Sequence, residues 1–302
     1  MTSDIIDDEI ISFLSLEGPA DQTALSLEKI LSEWSLAYPA GPLGSFLSVN
    51  MKIKGLNAHH REFIGILAAS VDCWGGFNYH SAQHHLEVFI IAMALSRNDR
   101  HLRPLLAIAA VAHDYEYHPD EAAIAVPFRQ ELRSAEFVTS MMDIMYRQES
   151  PTPEAVRTVI LSTYPGARKA LKAGYGAWRD RLKDGNPGVK MDFSRDVYRA
   201  SCLLADADIA DSIGLSGQWS RMKAALLAYE QGVAFMRPED TIGFFEHVVG
   251  DAFLTDEAEA LFGHNLRRNS QEAITAARAA LVEKSRRDAA MQRAADRTEI
   301  VT

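Results

Sequence analysis

Along most of the chain, apolar residues return every three or four positions, the spacing that gives a helix one buried face. Residues 7–16 and 22–37 carry this pattern, the second with Leu25, Leu27, Ile30, Leu31, Trp34 and Leu36. Pro39-Ala-Gly-Pro-Leu-Gly44 interrupts it, since proline and glycine end regular structure. Further helices are predicted over 58–72, 79–95, 102–115, 130–147, 153–163, 194–214 and 217–233. The 102–115 segment is almost wholly apolar, so it is expected to be covered on all sides. No stretch alternates with the period of a β-strand, and the predicted fold class is all-α.

Two segments break the pattern. Over 165–191, Gly166, Gly174, Gly176, Gly185, Pro187 and Gly188 are interleaved with Lys169, Lys172, Arg179, Arg181, Lys183 and Lys190. This reads as a long basic connection, either a lid or binding loop or a solvated surface insertion. From Asn265 on, the chain is rich in Ala and Arg and poor in large apolar residues, as a solvated terminal helix would be. The expected organisation is an N-terminal helical arm (1–57), a main body (58–262) and a C-terminal helix (263–302), with the two terminal segments as candidate contacts of a homodimer.

Composition narrows the function classes. The chain has 302 residues, 47% of them hydrophobic, enough for a substantial core. A formal net charge of -10 argues against binding a nucleic-acid duplex, which needs a basic surface. A small anionic substrate stays compatible, because a bound cation can dominate the field of a pocket. Cys73 and Cys202 are far apart and form no CxxC spacing, so neither a disulfide framework nor a thiolate zinc site is expected, and a reducing cytoplasm fits. The acidic start, Met-Thr-Ser-Asp-Ile-Ile-Asp-Asp-Glu, is the reverse of a signal peptide. Apolar runs such as Leu105 to Ala112 are far short of a membrane span.

Candidate chemistry sits on three segments. His80 and His84 are four apart in Tyr79-His-Ser-Ala-Gln-His84 and are expected to share one helix face. His113-Asp114 ends the apolar 102–115 helix, where an unpaired carboxylate would be costly. Leu203-Leu-Ala-Asp-Ala-Asp-Ile-Ala-Asp211 puts Asp206, Asp208 and Asp211 on an otherwise apolar helix. Three acids cannot all face the core there, so at least one is expected to face solvent. His84, His113, Asp114 and an acid of the third segment offer two imidazoles and two carboxylates, enough to hold and neutralise one divalent cation. A mixed nitrogen and oxygen shell suits Mn, Fe, Co, Ni or Zn, and Mg less well. Such an ion lowers the pKa of a bound water and polarises a phosphoryl group. His80, not needed as a ligand, is placed to protonate a leaving oxygen.

These segments resemble the HD-domain superfamily of metal-dependent phosphohydrolases, whose pattern is His, then His-Asp, then a distant Asp on a helical bundle. The resemblance covers roughly residues 58–215 and implies an HD-domain helical bundle with extra N- and C-terminal helices. In class I cyclic-nucleotide phosphodiesterases a Tyr-His-Asn-x-x-His segment supplies an acid histidine and a metal ligand; Tyr79-His-Ser-Ala-Gln-His84 is similar, with Ser81 for Asn. Their His-Asp-x-x-His-Pro-Gly differs from His113-Asp-Tyr-Glu-Tyr-His-Pro119 by one residue, and Asp120 stands where Gly would be. The bacterial predicted HD phosphohydrolases are the better match. Their His-Asp-x-x-Tyr-x-Pro, Asn-Glu-x-x-Ser-Ala and Asp-Ala-Asp-Leu correspond to residues 113–119, to Gln130-Glu-Leu-Arg-Ser-Ala135 and to Asp206-Ala-Asp-Ile209. Ala207-Asp-Ile-Ala-Asp211 resembles HD segments whose first Asp binds metal, which selects Asp208 over Asp206. The resemblance adds Glu131, beside the metal or on a water next to it, and His118 as catalytic candidates, and leaves open a second metal ion.

The expected function is hydrolysis of a phosphoester in a nucleotide or small phosphorylated metabolite. One alternative is a non-catalytic binding or regulatory module with a structural metal. Another, a di-iron oxygenase, needs two more histidines before the last Asp, whereas after His118 the next is His247.

Overall fold

The computed structural model describes residues 20–37, 42–49, 53, 55–74, 78–117, 126–146 and 150–299. The helix expected over 7–16, and His118, lie outside them. The described residues form thirteen α-helices and no strand: α1 (Ala20–Ala37), α2 (Pro42–Val49), α3 (Ala58–Trp74), α4 (Ala82–Leu95), α5 (Arg103–Ala112), α6 (Arg129–Met145), α7 (Pro153–Leu161), α8 (Pro165–Ala173), α9 (Tyr175–Gly185), α10 (Arg195–Ile209), α11 (Gly217–Glu230), α12 (Pro238–Phe244) and α13 (Asp256–Glu299). Wider π turns extend α10 over Ala210–Gly214 and α12 over Phe245–Val249. No described helix is long and apolar enough to cross a membrane.

Local chemistry sets several of the starts. Thr152, Ser194 and Ser216 each accept a backbone N–H from the first turn of α7, α10 and α11, so donors left over at a helix start find a partner. Pro153, Pro165 and Pro238 open α7, α8 and α12, where the missing N–H has no role to lose.

The centre is α4 beside α5. Helix α4 packs against α2, α5 and α10, while α5 packs against α3, α7 and α10. Both are covered on every side, which is why they read as nearly unbroken apolar runs; in α4 every residue but Gln83 is buried. The polar groups they carry, His84, His85, Glu87 and Arg103, are therefore buried too.

The expected arm and terminal helix share this core. Leu27, Leu31 and Trp34 of α1 and Leu43, Phe46 and Leu47 of α2 belong to it, with the Trp34 ring edge-on to Phe46 at 5.2 Å. Asp72 ties α3 to α2 by accepting the N–H groups of Leu43 and Gly44 at 3.3 and 2.7 Å. The last helix begins at Asp256 rather than near Asn265, and its first turns bury Ala258, Phe262 and Leu266. Asn265 and Asn269 are not solvated: their amides donate to the carbonyls of Gly214, Ile213 and Leu215.

Most of the 165–191 segment is not a loop. It is α8 and α9, separated at Gly174, whose φ of 108° breaks the helix in a region that side chains avoid. Ala167 and Leu171, then Trp178 and Leu182, are buried four apart on one face of each helix. Trp178 is sealed in and donates its indole N–H to Ser162. The density of glycines concealed this spacing.

Candidate metal centre

Three segments converge at one end of α4. His84 comes from its first turn, His113 and Asp114 follow the last residue of α5, and Asp208 projects from α10. One donor atom from each of the four lies within 4.8 Å of all the others. Asp114 Oδ2 is 3.2 Å from His113 Nε2 and 3.5 Å from His84 Nε2, and Asp208 Oδ1 is 3.5 Å from His84 Nε2 and 3.9 Å from His113 Nε2. Two donors held at a right angle about 2.1 Å from one ion stand about 3.0 Å apart, so the group is close to the size a single ion requires.

The outer ring nitrogens decide what the inner ones offer. Nδ1 of His113 donates to the Ala110 carbonyl at 3.0 Å, and Nδ1 of His84 donates to Asp211 Oδ2 at 2.9 Å. Each Nε2 is then left with its lone pair inward, the two 3.3 Å apart. Facing lone pairs beside two carboxylates require positive charge between them. In its absence protons serve. Burial disfavours charge on His84, but Asp114, Asp208 and Asp211 outweigh it and hold the imidazole well above its ordinary range. His113 is raised in the same way, against burial, by Asp114 and Asp208. Burial also opposes ionising Asp114, yet His113, His84 and His80 hold its carboxyl well below the usual carboxylate range. The donor set fits a divalent cation: two imidazole nitrogens and two carboxylate oxygens balance its charge.

His80 reaches the same point by a different route from the one its spacing suggests. It lies in a bend before α4, not on the helix, because the helix begins at Ala82. Glu230, at the end of α11, fixes it: Oε2 accepts the backbone N–H groups of Tyr79 and His80, and Oε1 lies 2.5 Å from His80 Nδ1. Tyr117 stacks on the ring at 3.5 Å. Nε2 is thereby turned to the cluster, 3.9 Å from Asp114 Oδ2. Glu131, in the first turn of α6, is buried rather than a surface helical acid. Burial and the neighbouring charges of Asp114 and Asp208 push its carboxyl up to about 8.

The three acids of the 203–211 segment have three fates, and none faces solvent freely. Asp206 is sealed, bound to Arg168 at 2.9 Å and to the N–H groups of Leu254 and Thr255. Asp208 faces the cluster. Asp211, in the wider turn after α10, is sealed behind His84 and paired with Lys223 at 2.8 Å. The expected solvent-facing stripe fails because two of the acids have a buried cation each. Lys223 also pairs with Glu87, which accepts from Gln83 Nε2 at 2.9 Å on its other oxygen. His84, Glu87 and Asp211 thus form a second metal-sized group, already filled by an ammonium. His85 packs on His113 with ring centroids 5.1 Å apart; burial, with the neighbouring His113 and His84, pushes its pKa well below the ordinary value.

Sequence reasoning singled out the four donors, His80 and Glu131. It missed Glu87, Lys223 and Glu230. Glu87 carried a signal, as a lone acid in an apolar run; Lys223 and Glu230 look like ordinary residues of an amphipathic helix.

The cluster opens onto a cavity of about 1010 Å³ whose wall includes His80, Asp114, Glu131 and Asp208. Here a buried His/Asp group positioned to bind a metal ion meets space for a ligand. Compared with known proteins, the chain matches no family model and no curated sequence, so these side chains carry the functional reading.

Proposed function

We propose that this chain is a metal-dependent phosphohydrolase of the HD type, cleaving a phosphoester of a nucleotide or other small phosphorylated metabolite. The observation that carries the reading is the convergence of two inward imidazole lone pairs, two carboxylates and a third, separately held histidine at the end of one cavity.

His84, His113, Asp114 and Asp208 would hold the ion. A divalent ion there supplies Lewis-acid polarisation of a phosphoryl oxygen and a water of lowered pKa. The protein's own groups do the rest. Asp211 and the Ala110 carbonyl hold the two imidazoles in the tautomer that presents Nε2. Glu230 and Tyr117 hold His80 so that Nε2 faces the reacting centre, where it gives its proton to the departing alcohol oxygen as water adds to phosphorus. Glu131, in the cavity wall that Asp114 and Asp208 also line, would hold a water by a hydrogen bond.

The test is phosphate release by Mn-loaded protein from a panel of nucleoside mono-, di- and triphosphates, cyclic nucleotides and simple alkyl and aryl phosphates. Release from at least one ester, lost in Asp208→Asn, is the expected result. No release from any, by protein that carries the ion, favours the alternative of a binding module with a structural metal.

A further inference from the structure

We propose that the cavity beside the His/Asp group receives a phosphomonoester whose alcohol part is a long apolar chain. The proposal rests on the phosphohydrolase reading and narrows its substrate. At about 1010 Å³ the cavity lies at the upper end of small-molecule sites, which run from about 300 to about 1,000 Å³. Its wall is predominantly apolar. Ile209, Ile213, Leu227, Phe244, Phe245 and Val248, from α10, α11, α12 and the turns that follow α10 and α12, make up much of it, with Ser220, Arg221, Gln231 and Glu272 among the polar residues between them.

Charge argues against a polyphosphate. The cations in the wall already have partners: Arg168 has Asp206, Arg221 has Glu272 at 3.8 Å, Lys223 has Glu87 and Asp211, and Arg129 is also engaged. A triphosphate needs several cations along its length. One phosphoryl group beside one divalent ion does not.

Several polar side chains of the wall are likewise spent on the protein itself. Gln130 donates to the Tyr115 carbonyl, Thr163 to that of Ile160, Thr241 to that of Arg237, and Asn269 to those of Ile213 and Leu215. Arg168 Nη2 and Asn269 Oδ1 have no partner, but both atoms are sealed beneath the surface. Against the apolar part of the wall a base and ribose would leave hydrogen-bonding groups unmatched, at the cost that attends burying them. An alkyl chain leaves none. The apolar character also continues outward. Tyr229 and Phe235 are 72% and 84% exposed and flank Gln231 and Met236, which line the cavity. Aromatic side chains so exposed suit the entry of an amphiphile.

The experiment uses the full chain loaded with Mn and two ligand series, both below their critical micelle concentrations. Ethyl, hexyl and decyl phosphonate, which resist hydrolysis, report affinity by calorimetry. The matching phosphates report turnover, with adenosine monophosphate alongside. The expected result is affinity rising by up to about fourfold per methylene, as burial of each CH₂ implies, and decyl phosphonate binding at least about a hundredfold more tightly than ethyl phosphonate. Ala273→Phe, which adds a ring to the far wall, should lower decyl affinity at least about tenfold and leave ethyl affinity unchanged. Ala224→Met serves the same purpose from the opposite wall if the first variant does not fold. Affinity independent of chain length, or adenosine monophosphate bound more tightly than decyl phosphonate, overturns the proposal. The two readings fail separately. Chain-length dependence without phosphate release keeps the cavity assignment and removes the hydrolase. Nucleotide hydrolysis without chain-length dependence does the reverse.

Discussion

Two clusters of acid and histidine meet back to back at His84. On its inner side, Glu87 and Asp211 close around Lys223, all three buried. On its outer side, Asp114 and Asp208 stand with His84 and His113 around a point that no Lys or Arg of the described residues enters, open to the cavity. Both groups have the spacing that would suit a metal ion. The difference is that one carries its own cation, an ammonium on a four-carbon stem, and the other must draw its positive charge from solution. Spacing of donors alone therefore does not define a metal centre. What marks the outer cluster is the orientation of its imidazoles, with both Nδ1 atoms spent on fixed acceptors and both Nε2 lone pairs turned inward.

The sharpest way to separate the two is to strike each by itself. His80→Ala touches the outer cluster alone. Turnover should fall about 10²- to 10⁴-fold, the range for losing a general acid, with metal content unchanged. Retained turnover would remove His80 from the chemistry.

Lys223→Met touches the inner cluster and should cost about 3–5 kcal/mol of stability, because Glu87 and Asp211 are left buried without their cation. Urea denaturation reads this directly. A variant as stable as the parent would show that the ion pair does not hold α11 against α4. The double exchange Glu87→Gln with Lys223→Met should recover part of the loss, since fewer charges then lack a partner.

Asp211→Asn sits on the boundary. It weakens the acceptor that fixes the His84 tautomer, and metal affinity should drop about 10- to 100-fold, measured by competition with a chelating dye. Affinity unchanged within error would mean that Asp211 serves Lys223 and not the outer site.

The smallest effect concerns pH. Glu131 has a folded-state value of about 8 against an ordinary 4.5, so in metal-free protein the folded chain holds its proton more tightly than the unfolded one. Its contribution is complete below about 4.5 and is lost as pH rises through about 8. Denaturation midpoints taken in chelator across that window should decline with pH, and Glu131→Gln should flatten the decline. Parallel curves for the two proteins would place the carboxyl in water.

The same contrast explains how much could be read before any coordinates. The all-α class, α4, α5 and the outer cluster were legible because each is written locally: three short segments hold polar residues where the surrounding pattern demands apolar ones. The inner cluster was not legible. Lys223 meets a partner 136 residues away, and Glu230 reaches His80 across 150 residues, and nothing within α11 distinguishes either from a surface charge. The α8–α9 pair was obscured by composition, since its glycines and lysines outnumber the few buried residues that set its register. The helix α13 was placed too late because its buried asparagines, Asn265 and Asn269, read as solvent-facing until the carbonyls they cap are in view.

The central claim is that the outer cluster, and not the inner one, holds a divalent ion. Elemental analysis of the purified chain after exposure to Mn and gel filtration tests it, run on the parent, His113→Ala and Glu87→Gln. The account expects about one equivalent per chain in the parent and in Glu87→Gln, and none in His113→Ala. An ion that persists in folded His113→Ala, or that leaves with Glu87→Gln, would contradict it.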